Sequence, residues 1–289
     1  MKHHSLTYYL TLLLVCSCLW SSCKKFVDAG SPKAELTTDK VFADSTGATA
    51  AVTGIYITPG IGSGSTTVAA GLSADELSTT AQGSYAEFFA NNIRPANSQN
   101  RSLWVSTYQQ LYQANACIEG IMASPGLSDQ QKKRLTAEAR FIRAFLLFNL
   151  TGLFGPVPLV TMTDYRETRT LPRAATTAVY AQVVADLQFA QANLSSQGED
   201  TRRGNYYAAT ALLARVYLYL GQYAQAAAEA SKVIDSGHFS LMAEPNQVFL
   251  ATSKEAIWAA GPGHYRPGDD GGFLIRTIVG KRRSRIRPQ

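Results

Sequence analysis

Residues 135–160 constrain the fold of this chain more than any other stretch. Their apolar side chains recur at helical spacing and form a stripe broad enough for a helix buried on most of its circumference. Arg140 and Arg143 interrupt the stripe, and we expect their stems to cover apolar neighbours while their guanidinium groups reach water or a carboxylate. Pro156 and Pro158 end the helix, because each lacks an amide N–H and disfavours a helical residue before it. The apolar positions are Leu135, Ala139, Phe141, Ile142, Phe145, Leu146, Phe148 and Leu150.

A second long helix is predicted directly before this one. Residues 102–122 have helical periodicity, and Pro125-Gly126 ends the pattern. Ser128 and Gln131 then form a capping box for the long helix. A turn this short implies that the two helices are antiparallel neighbours.

Further helices are predicted towards both ends. Asp44 or Ser45 is expected to cap an early helix, and Thr176-Thr177 a later one. The glycine-rich residues 59–65 are expected to form a flexible surface loop. We therefore predict a mainly α-helical fold with six or seven helices between residues 48 and 235, paired antiparallel. Residues 239–241 and 255–260 are predicted to be short extended segments.

Residues 205–238 have the pattern of one tetratricopeptide repeat. The segment is 34 residues long, which is one repeat length. A solitary repeat cannot bury its own apolar face, so the earlier helix pairs are expected to stack on it. The characteristic positions are Ala214, Tyr217, Gly221, Tyr223, Ala226, Ala230 and Val233.

The N-terminus has the features of an export signal. Residues 6–20 are an apolar run of fifteen residues, short of the roughly 20 that a spanning helix needs and within the range of a signal peptide core. Ser21-Ser22 precede Cys23, which resembles a bacterial lipobox with lipid attachment at Cys23. Cys18 is a competing attachment site, and an ordinary cleaved signal is the other alternative. Residues 1–22 are thus predicted to be a lipoprotein signal peptide, and residues 23–44 a tether and the start of the mature chain.

Several of these segments together resemble the RagB/SusD family of outer-membrane lipoproteins. The resemblance extends over residues 23–261. It is carried by Arg140, Arg143-Ala144, Phe148, Leu150, the run Phe154-Gly155-Pro156-Val157-Pro158-Leu159, Asp75-Glu76, Gly54-Ile55-Tyr56, Val41-Phe42 and Cys23-Lys24-Lys25.

The resemblance implies a fold, a function and a partner. Residues 45–261 would be a SusD-like N-terminal helical-repeat domain, with the second, loop-rich half of the family largely absent. The protein would capture oligosaccharides or another nutrient at the outer membrane, to which Cys23 would anchor it at the cell surface. It would deliver them to a SusC-like TonB-dependent transporter without making or breaking bonds. The family builds its glycan site from variable loops that share no motif with this chain, so the ligand-binding residues stay unknown at this stage.

The basic charge of the chain is concentrated at its C-terminus. The net charge is +6, and the last fourteen residues contain 6 of the 27 basic residues and no acid, which leaves 21 basic against 21 acidic residues elsewhere. A neutral body does not favour nucleic acid as a partner. Residues 262–289 are predicted to be an incomplete second region and a disordered basic tail, as a truncated or frameshifted reading frame would produce. The alternative is a genuine basic tail that contacts anionic lipid or nucleic acid.

Catalytic motifs are missing from the sequence. It contains no HExxH, GxSxG or CxxC pattern, and we predict no enzyme activity, no cofactor and no metal site. Cys117 is expected to be a small core residue. Asp75 and Glu76 are adjacent and point in different directions, so they cannot flank one glycosidic bond. His238 and His264 are at turn-like positions.

Exposed aromatic rings can stack on the C–H faces of sugars. Tyr85, Trp104 and Trp258 are candidates for this role, but each is in or near a packed element, and core burial is the favoured interpretation. Two other functions stay open: a periplasmic helical-repeat scaffold that binds a protein or peptide, and an exported glycoside hydrolase.

Overall fold

The structure is a computed structural model, and it describes residues 37–57, 64–80, 82–197, 201–248, 250 and 253–259. The signal peptide, Cys18, Cys23, His264 and the basic tail lie outside the described residues. The described elements are α1 (Thr38–Val41), α2 (Ser45–Ile57), α3 (Gly64–Ser73), α4 (Ser84–Phe89), α5 (Ser98–Ala123), α6 (Asp129–Phe154), β1 (Val157–Pro158), α7 (Tyr165–Thr168), β2 (Arg173–Ala174), α8 (Thr176–Asn193), α9 (Tyr206–Tyr219), α10 (Tyr223–Ile234) and a 3₁₀ turn (Pro245–Gln247).

The described elements are almost all helices, which confirms the prediction of a mainly α-helical fold. Helix α6 is the centre of the core. It packs against α5 on one side and α8 on the other, with α2 also in contact, while α9 pairs with both α8 and α10. Its N-terminus has the predicted capping box, in which the Gln131 amide N–H donates to Ser128 Oγ and the Ser128 amide N–H donates to Gln131 Oε1. Gly155, at φ 67°, ends the helix.

The extended segment after α6 forms a small antiparallel ladder. Val157 of β1 is opposite Ala174 of β2, and Pro158 is opposite Arg173. Tyr108 Oη donates to the Pro158 carbonyl at 2.9 Å, so the ladder is attached to α5. Because β2 extends to Ala174, only Ala175 is left to precede the next helix.

Some helix boundaries differ from the prediction. Helix α8 begins at Thr176 with Ala175 at the cap position, so the prediction that Thr176-Thr177 cap this helix was wrong. Helix α5 begins at Ser98, because the Asn97 side chain accepts from the Asn100 amide at 2.9 Å and caps the helix there. The predicted loop at residues 59–65 is helical from Gly64, and its residues 59–63 lie outside the described part.

The number of helices and the predicted extended segments also need correction. Between residues 45 and 235 the described parts contain nine helices rather than six or seven. The missed ones, α3, α4 and α7, are short. Residues 239–241 and 255–259 form no strand; one bond, from the Ser240 amide to the Lys254 carbonyl at 3.1 Å, joins the two regions. Helices α9 and α10 form the predicted helix pair of residues 205–238.

A buried ion pair joins the central helices. Arg143 of α6 donates from Nε and Nη2 to the two carboxylate oxygens of Asp186 in α8, at 2.8 and 2.7 Å. Arg143 Nη1 also donates to Asn115 Oδ1 of α5 at 3.0 Å. Arg143 is 5% exposed and Asp186 is fully buried, so the carboxylate that the sequence led us to expect is on a helix 43 residues away. Within the described residues, no helix has the length and apolarity to span a membrane.

Candidate functional site

The three aromatic residues singled out in the sequence are all half-buried. Trp104 packs against Tyr108 and Phe154, with ring centroids 4.9 and 5.0 Å apart. Trp258 packs against the rings of Phe141 and Phe145. Tyr85 packs against a small apolar cluster that includes Leu72 and Phe88. The interpretation of these residues as packing residues fits the structure.

The other residues considered as catalytic or binding candidates have structural positions, in the core, in a turn or against another ring. Cys117 is buried, and burial raises the pKa of its thiol to about 12, so it is a thiol rather than a thiolate nucleophile at neutral pH. Asp75 and Glu76 are in the turn after α3, where Asp75 has φ 59°. His238 packs against Tyr207 at 5.1 Å between ring centroids. In the part of the chain that the structure describes, no three His, Cys, Asp or Glu side chains are grouped as a metal site would require.

Residues 84–97 lie between α3 and α5 and are exposed from residue 89 to residue 96, and we call them the 84–97 segment. They begin with α4 and rest on a small apolar cluster that is separate from the main core. Phe88 is the segment's contribution to this cluster. The other buried members are Val68, Ala69 and Leu72 of α3 and Leu103 of α5.

Glu87 fixes the conformation of the 84–97 segment. Arg94 donates to it from Nε at 2.9 Å and Nη2 at 2.5 Å, and the Arg94 amide donates to its other oxygen at 3.0 Å. Asn97 Nδ2 donates to that second oxygen at 2.8 Å. These bonds, led by the side-chain bond from Arg94, lower the pKa of Glu87 to about 2, so it is a carboxylate at any pH near neutrality.

Asn97 connects this arrangement to the start of α5. Its side-chain oxygen caps α5, and its Nδ2 also donates to the Ser84 carbonyl at 2.9 Å. Asn97 is 3% exposed, in contrast to the residues that it supports. One buried amide thus holds the first residue of α4, the carboxylate of Glu87 and the first turn of α5 together.

Residues 89–94, which we call the 89–94 tip, project from this support. Phe89 is 41% exposed, and Asn91, Asn92, Ile93 and Arg94 are exposed as well. Asn91 has φ 50°, in the left-handed region that asparagine tolerates better than most residues. The Asn91 and Asn92 amides donate to the carbonyls of Phe88 and Glu87, each at 3.0 Å, and this closes the turn.

The 89–94 tip has the side chains that sugar recognition requires. An exposed phenyl ring can stack on the C–H face of a pyranose, and two carboxamides supply both donors and acceptors for its hydroxyls. Arg94 is paired with Glu87 of α4, so the tip together with its supporting carboxylate has no net charge. The supporting bonds reduce the entropy that ordering the tip on binding would cost.

The sequence analysis did not identify this tip. No role was assigned there to Phe88, Phe89, Asn91, Asn92 or Arg94. A signal was present, because two consecutive asparagines after an aromatic pair favour a turn with a left-handed residue. What the sequence could not provide was the pairing of Glu87 with Arg94 and Asn97, which fixes the turn.

Comparison with known proteins gives consistent matches. The family model described as starch-binding and associating with the outer membrane, a SusD-like family, matches residues 25–218. A SusD-like protein of Formosa agariphila is 26% identical over 162 residues, which are 54% of this chain and 31% of that protein. The crystal structure of a SusD superfamily protein of Bacteroides thetaiotaomicron is similar with a TM-score of 0.61 and 27% identity, over 69% of this chain and 48% of that chain.

A further solved structure has a named ligand. It is a laminarin-binding SusD-like protein, similar with a TM-score of 0.60 and 27% identity over 72% of this chain and 48% of that chain. The matched part thus spans less than a third of the curated relative and about half of each of the two solved structures.

Proposed function

The chain belongs to the SusD-like family, whose model covers more than half of its length, and we propose that it captures a glycan at the outer membrane and delivers it to a SusC-like TonB-dependent transporter. The family predicted from the sequence is therefore confirmed. The ligand, the transporter and the non-enzymatic mechanism are proposals. They are supported by the family's description as starch-binding and associating with the outer membrane and by the laminarin-binding neighbour.

The 89–94 tip is the proposed contact with the glycan. The observation that carries this assignment is an exposed phenyl ring beside exposed carboxamides on a turn that Glu87 and Asn97 hold from below. Because Glu87 and Arg94 neutralise one another, a neutral glycan is favoured over a sulfated or uronic one.

Titration calorimetry with a neutral oligosaccharide tests the assignment. We expect laminarihexaose to bind the full chain, and Phe89→Ala to weaken binding by roughly threefold to tenfold, the value of one aromatic contact. Asn92→Ala should weaken it by a similar factor through the lost hydrogen bond. Tyr223→Ala is the matched control, because it removes an exposed aromatic ring from α10. Equal affinities of Phe89→Ala and the wild type would exclude the tip as the contact.

The non-enzymatic mechanism has its own test. The chain is incubated with laminarihexaose and with starch, and reducing ends are measured over time. We expect no release above a heat-inactivated control. Release that persists after repurification would favour the glycoside hydrolase alternative. A scaffold that binds peptides would instead fail to bind any oligosaccharide in the calorimetric experiment.

The anchor at Cys23 is proposed from the lipobox-like sequence before it. Mass spectrometry of protein extracted from membranes is expected to yield a diacylated or triacylated N-terminal peptide that begins at Cys23. A lipidated peptide that begins at Cys18, or an unmodified Cys23, would contradict the proposal. Exposure of the anchored protein at the cell surface can be measured on intact cells by its sensitivity to added protease.

A further inference from the structure

A groove lies between α8, α9 and α10, far along the chain from the 89–94 tip. It is an open surface depression with a volume of about 630 Å³. We call it the Tyr206 groove. Its lining includes Gln191 from α8, Tyr206 and Tyr207 from α9, and Lys232 and Asp235 from the end of α10.

The aromatic wall of the Tyr206 groove is fixed by packing. The half-buried Tyr206 ring is 5.1 Å from the ring of Tyr207 and nearly perpendicular to it, at 88°. Tyr207 is 7% exposed and is packed in turn by His238 and Phe239, at 5.1 and 5.4 Å between centroids. The orientation of the Tyr206 ring is thus set before any ligand arrives.

The polar wall is fixed by a continuous hydrogen-bond chain across three helices. Gln191 Nε2 donates to Thr210 Oγ1 at 2.9 Å and to Glu229 Oε2 at 2.7 Å. Lys232 Nζ donates to Glu229 Oε1 at 2.7 Å. An ammonium group has three donors, so the bond to Glu229 holds Lys232 in place while donors remain for a ligand.

Lys232 and Asp235 supply a donor and an acceptor in the lining of the groove. Lys232 and Asp235 are three residues apart at the end of α10, which places them on the same side of the chain. Two adjacent hydroxyls of a sugar ring can accept from the first and donate to the second. The charges of Glu229, Lys232 and Asp235 sum to −1, which disfavours anionic ligands.

We propose that the Tyr206 groove is a second saccharide-binding site, which takes one or two neutral sugar residues. The C–H face of the sugar lies on Tyr206, and vicinal hydroxyls bridge Lys232 and Asp235. This site has the same ligand class as the 89–94 tip but shares no residue with it, so the two assignments can fail separately.

Calorimetry of the full chain with laminarihexaose tests the proposal through stoichiometry. We expect two sites in the wild type and one in Tyr206→Ala. Phe89→Ala should retain two sites, of which the tip site binds roughly threefold to tenfold more weakly. Tyr206→Phe should retain both sites, and equal urea midpoints of the Tyr206 variants would show that the fold is intact. Asp235→Asn should weaken the groove site by roughly tenfold or less, the value of one hydrogen bond. Tyr223→Ala, on the same helix pair, should retain both sites.

The results that overturn the proposal are specific. Unchanged stoichiometry in Tyr206→Ala overturns it and leaves the tip assignment intact. Equal binding of trigalacturonic acid and laminarihexaose at the groove site overturns the assignment to neutral sugars. Tetra-alanine that binds in a Tyr206-dependent way, where the sugar does not, replaces the saccharide by a peptide. A wild-type chain that binds no oligosaccharide overturns this proposal and the proposed function together.

Discussion

Two carboxylate–guanidinium pairs in this molecule differ in how much of each pair is exposed to solvent. Arg143 and Asp186 are both buried and join helices 43 residues apart. Glu87 and Arg94 are seven residues apart, and the Arg94 side chain is 74% exposed. The pair of Arg143 and Asp186 determines how the long helices α6 and α8 pack against one another. The pair of Glu87 and Arg94 determines only the conformation of one surface turn.

The two pairs are expected to contribute differently to the stability of the fold. A buried pair has little net benefit over apolar packing, but it is costly to break, because the remaining charge stays in the core. An exposed pair contributes little to global stability because water and salt screen it. Glu87 and Arg94 can therefore fix the conformation of the proposed binding turn, while substitutions of neighbouring tip residues leave the packing of the long helices unchanged.

The largest expected effect comes from breaking the buried pair. Asp186→Ala leaves the Arg143 guanidinium in the core with only Asn115 and the Thr161 carbonyl as partners. We expect the free energy of unfolding to fall by about 3–5 kcal/mol, measured by urea denaturation.

Two further variants test whether burial of the pair causes the loss of stability in Asp186→Ala. Arg166→Met breaks the ion pair between Arg166 and Asp164, in which the Arg166 side chain is 73% exposed. It should lower the free energy of unfolding by less than about 1 kcal/mol. The double variant Arg143→Met with Asp186→Leu should recover much of the loss, since it removes both charges of the buried pair. Arg140, whose Nε is 4.0 Å from Asp186, also loses a partner, but its side chain is 31% exposed and can reach water. A loss as small for Asp186→Ala as for Arg166→Met would show that the two classes of pair do not differ.

Trp258 gives the next largest effect and extends the comparison to apolar contacts. Its ring is 5.0 Å from the centroids of both Phe141 and Phe145 and 6.5 Å from Tyr56. The adjacent Ala259 amide donates to the Thr201 carbonyl at 2.9 Å. Residues 253–259 are therefore fastened to α6 from a distant part of the chain.

Trp258→Ala should lower the free energy of unfolding by about 2–4 kcal/mol. This is somewhat less than the usual cost of removing a fully buried aromatic ring, because Trp258 is only half-buried. Urea denaturation measures it, and Trp258→Phe, which keeps a ring in the same place, should lose less. A cost below about 0.5 kcal/mol would mean that residues 253–259 do not contribute to the main core.

The same contrast explains what could be predicted from the sequence. The capping box of Ser128 and Gln131 involves residues three apart and was predicted correctly. The partner of Arg143 is 43 residues away, and no local pattern indicates which carboxylate it is. Thr176 was assigned to the cap because of its residue type, but the pairing of β2 with β1 leaves Ala175 in that position.

The candidate site was less predictable than the fold for a related reason. Helix α4 has six residues, too few for a clear periodicity, and the conformation of the tip depends on bonds from Arg94 and Asn97 to Glu87. The Tyr206 groove lies where three helices meet. Its helices were predicted, but the distance between Gln191 and Glu229 depends on how the helices pack.

Asn97 gives an intermediate effect, because it is buried but belongs to the 84–97 segment. Asn97→Ala removes the cap of α5 and the donor to Glu87 and to the Ser84 carbonyl. We expect the free energy of unfolding to fall by about 1–2 kcal/mol and glycan binding at the tip to weaken. Asn97→Asp separates the two roles in urea denaturation and calorimetry: it keeps the cap but places a second carboxylate beside Glu87. If Asn97→Asp binds the glycan as the wild type does, the donor role is unnecessary.

The smallest expected effect is local and depends on pH. Because the folded-state pKa of Glu87 is lowered from 4.5 to about 2, its bonds stabilise the 84–97 segment fully above about pH 4.5 and are lost as the pH falls through about 2.

Hydrogen exchange can follow this loss at the Arg94 amide, which donates to Glu87 at 3.0 Å. Its protection factor should be constant from pH 7 to about 4.5 and then decrease, while amides within α6 report any global unfolding. In Glu87→Gln the protection should be lower and independent of pH in this range, with the urea midpoint at pH 7 nearly unchanged. A wild-type profile that decreases between pH 7 and 5 would contradict the pairing with Arg94, and a large shift of the urea midpoint would place Glu87 with Asp186 among the groups that hold the core.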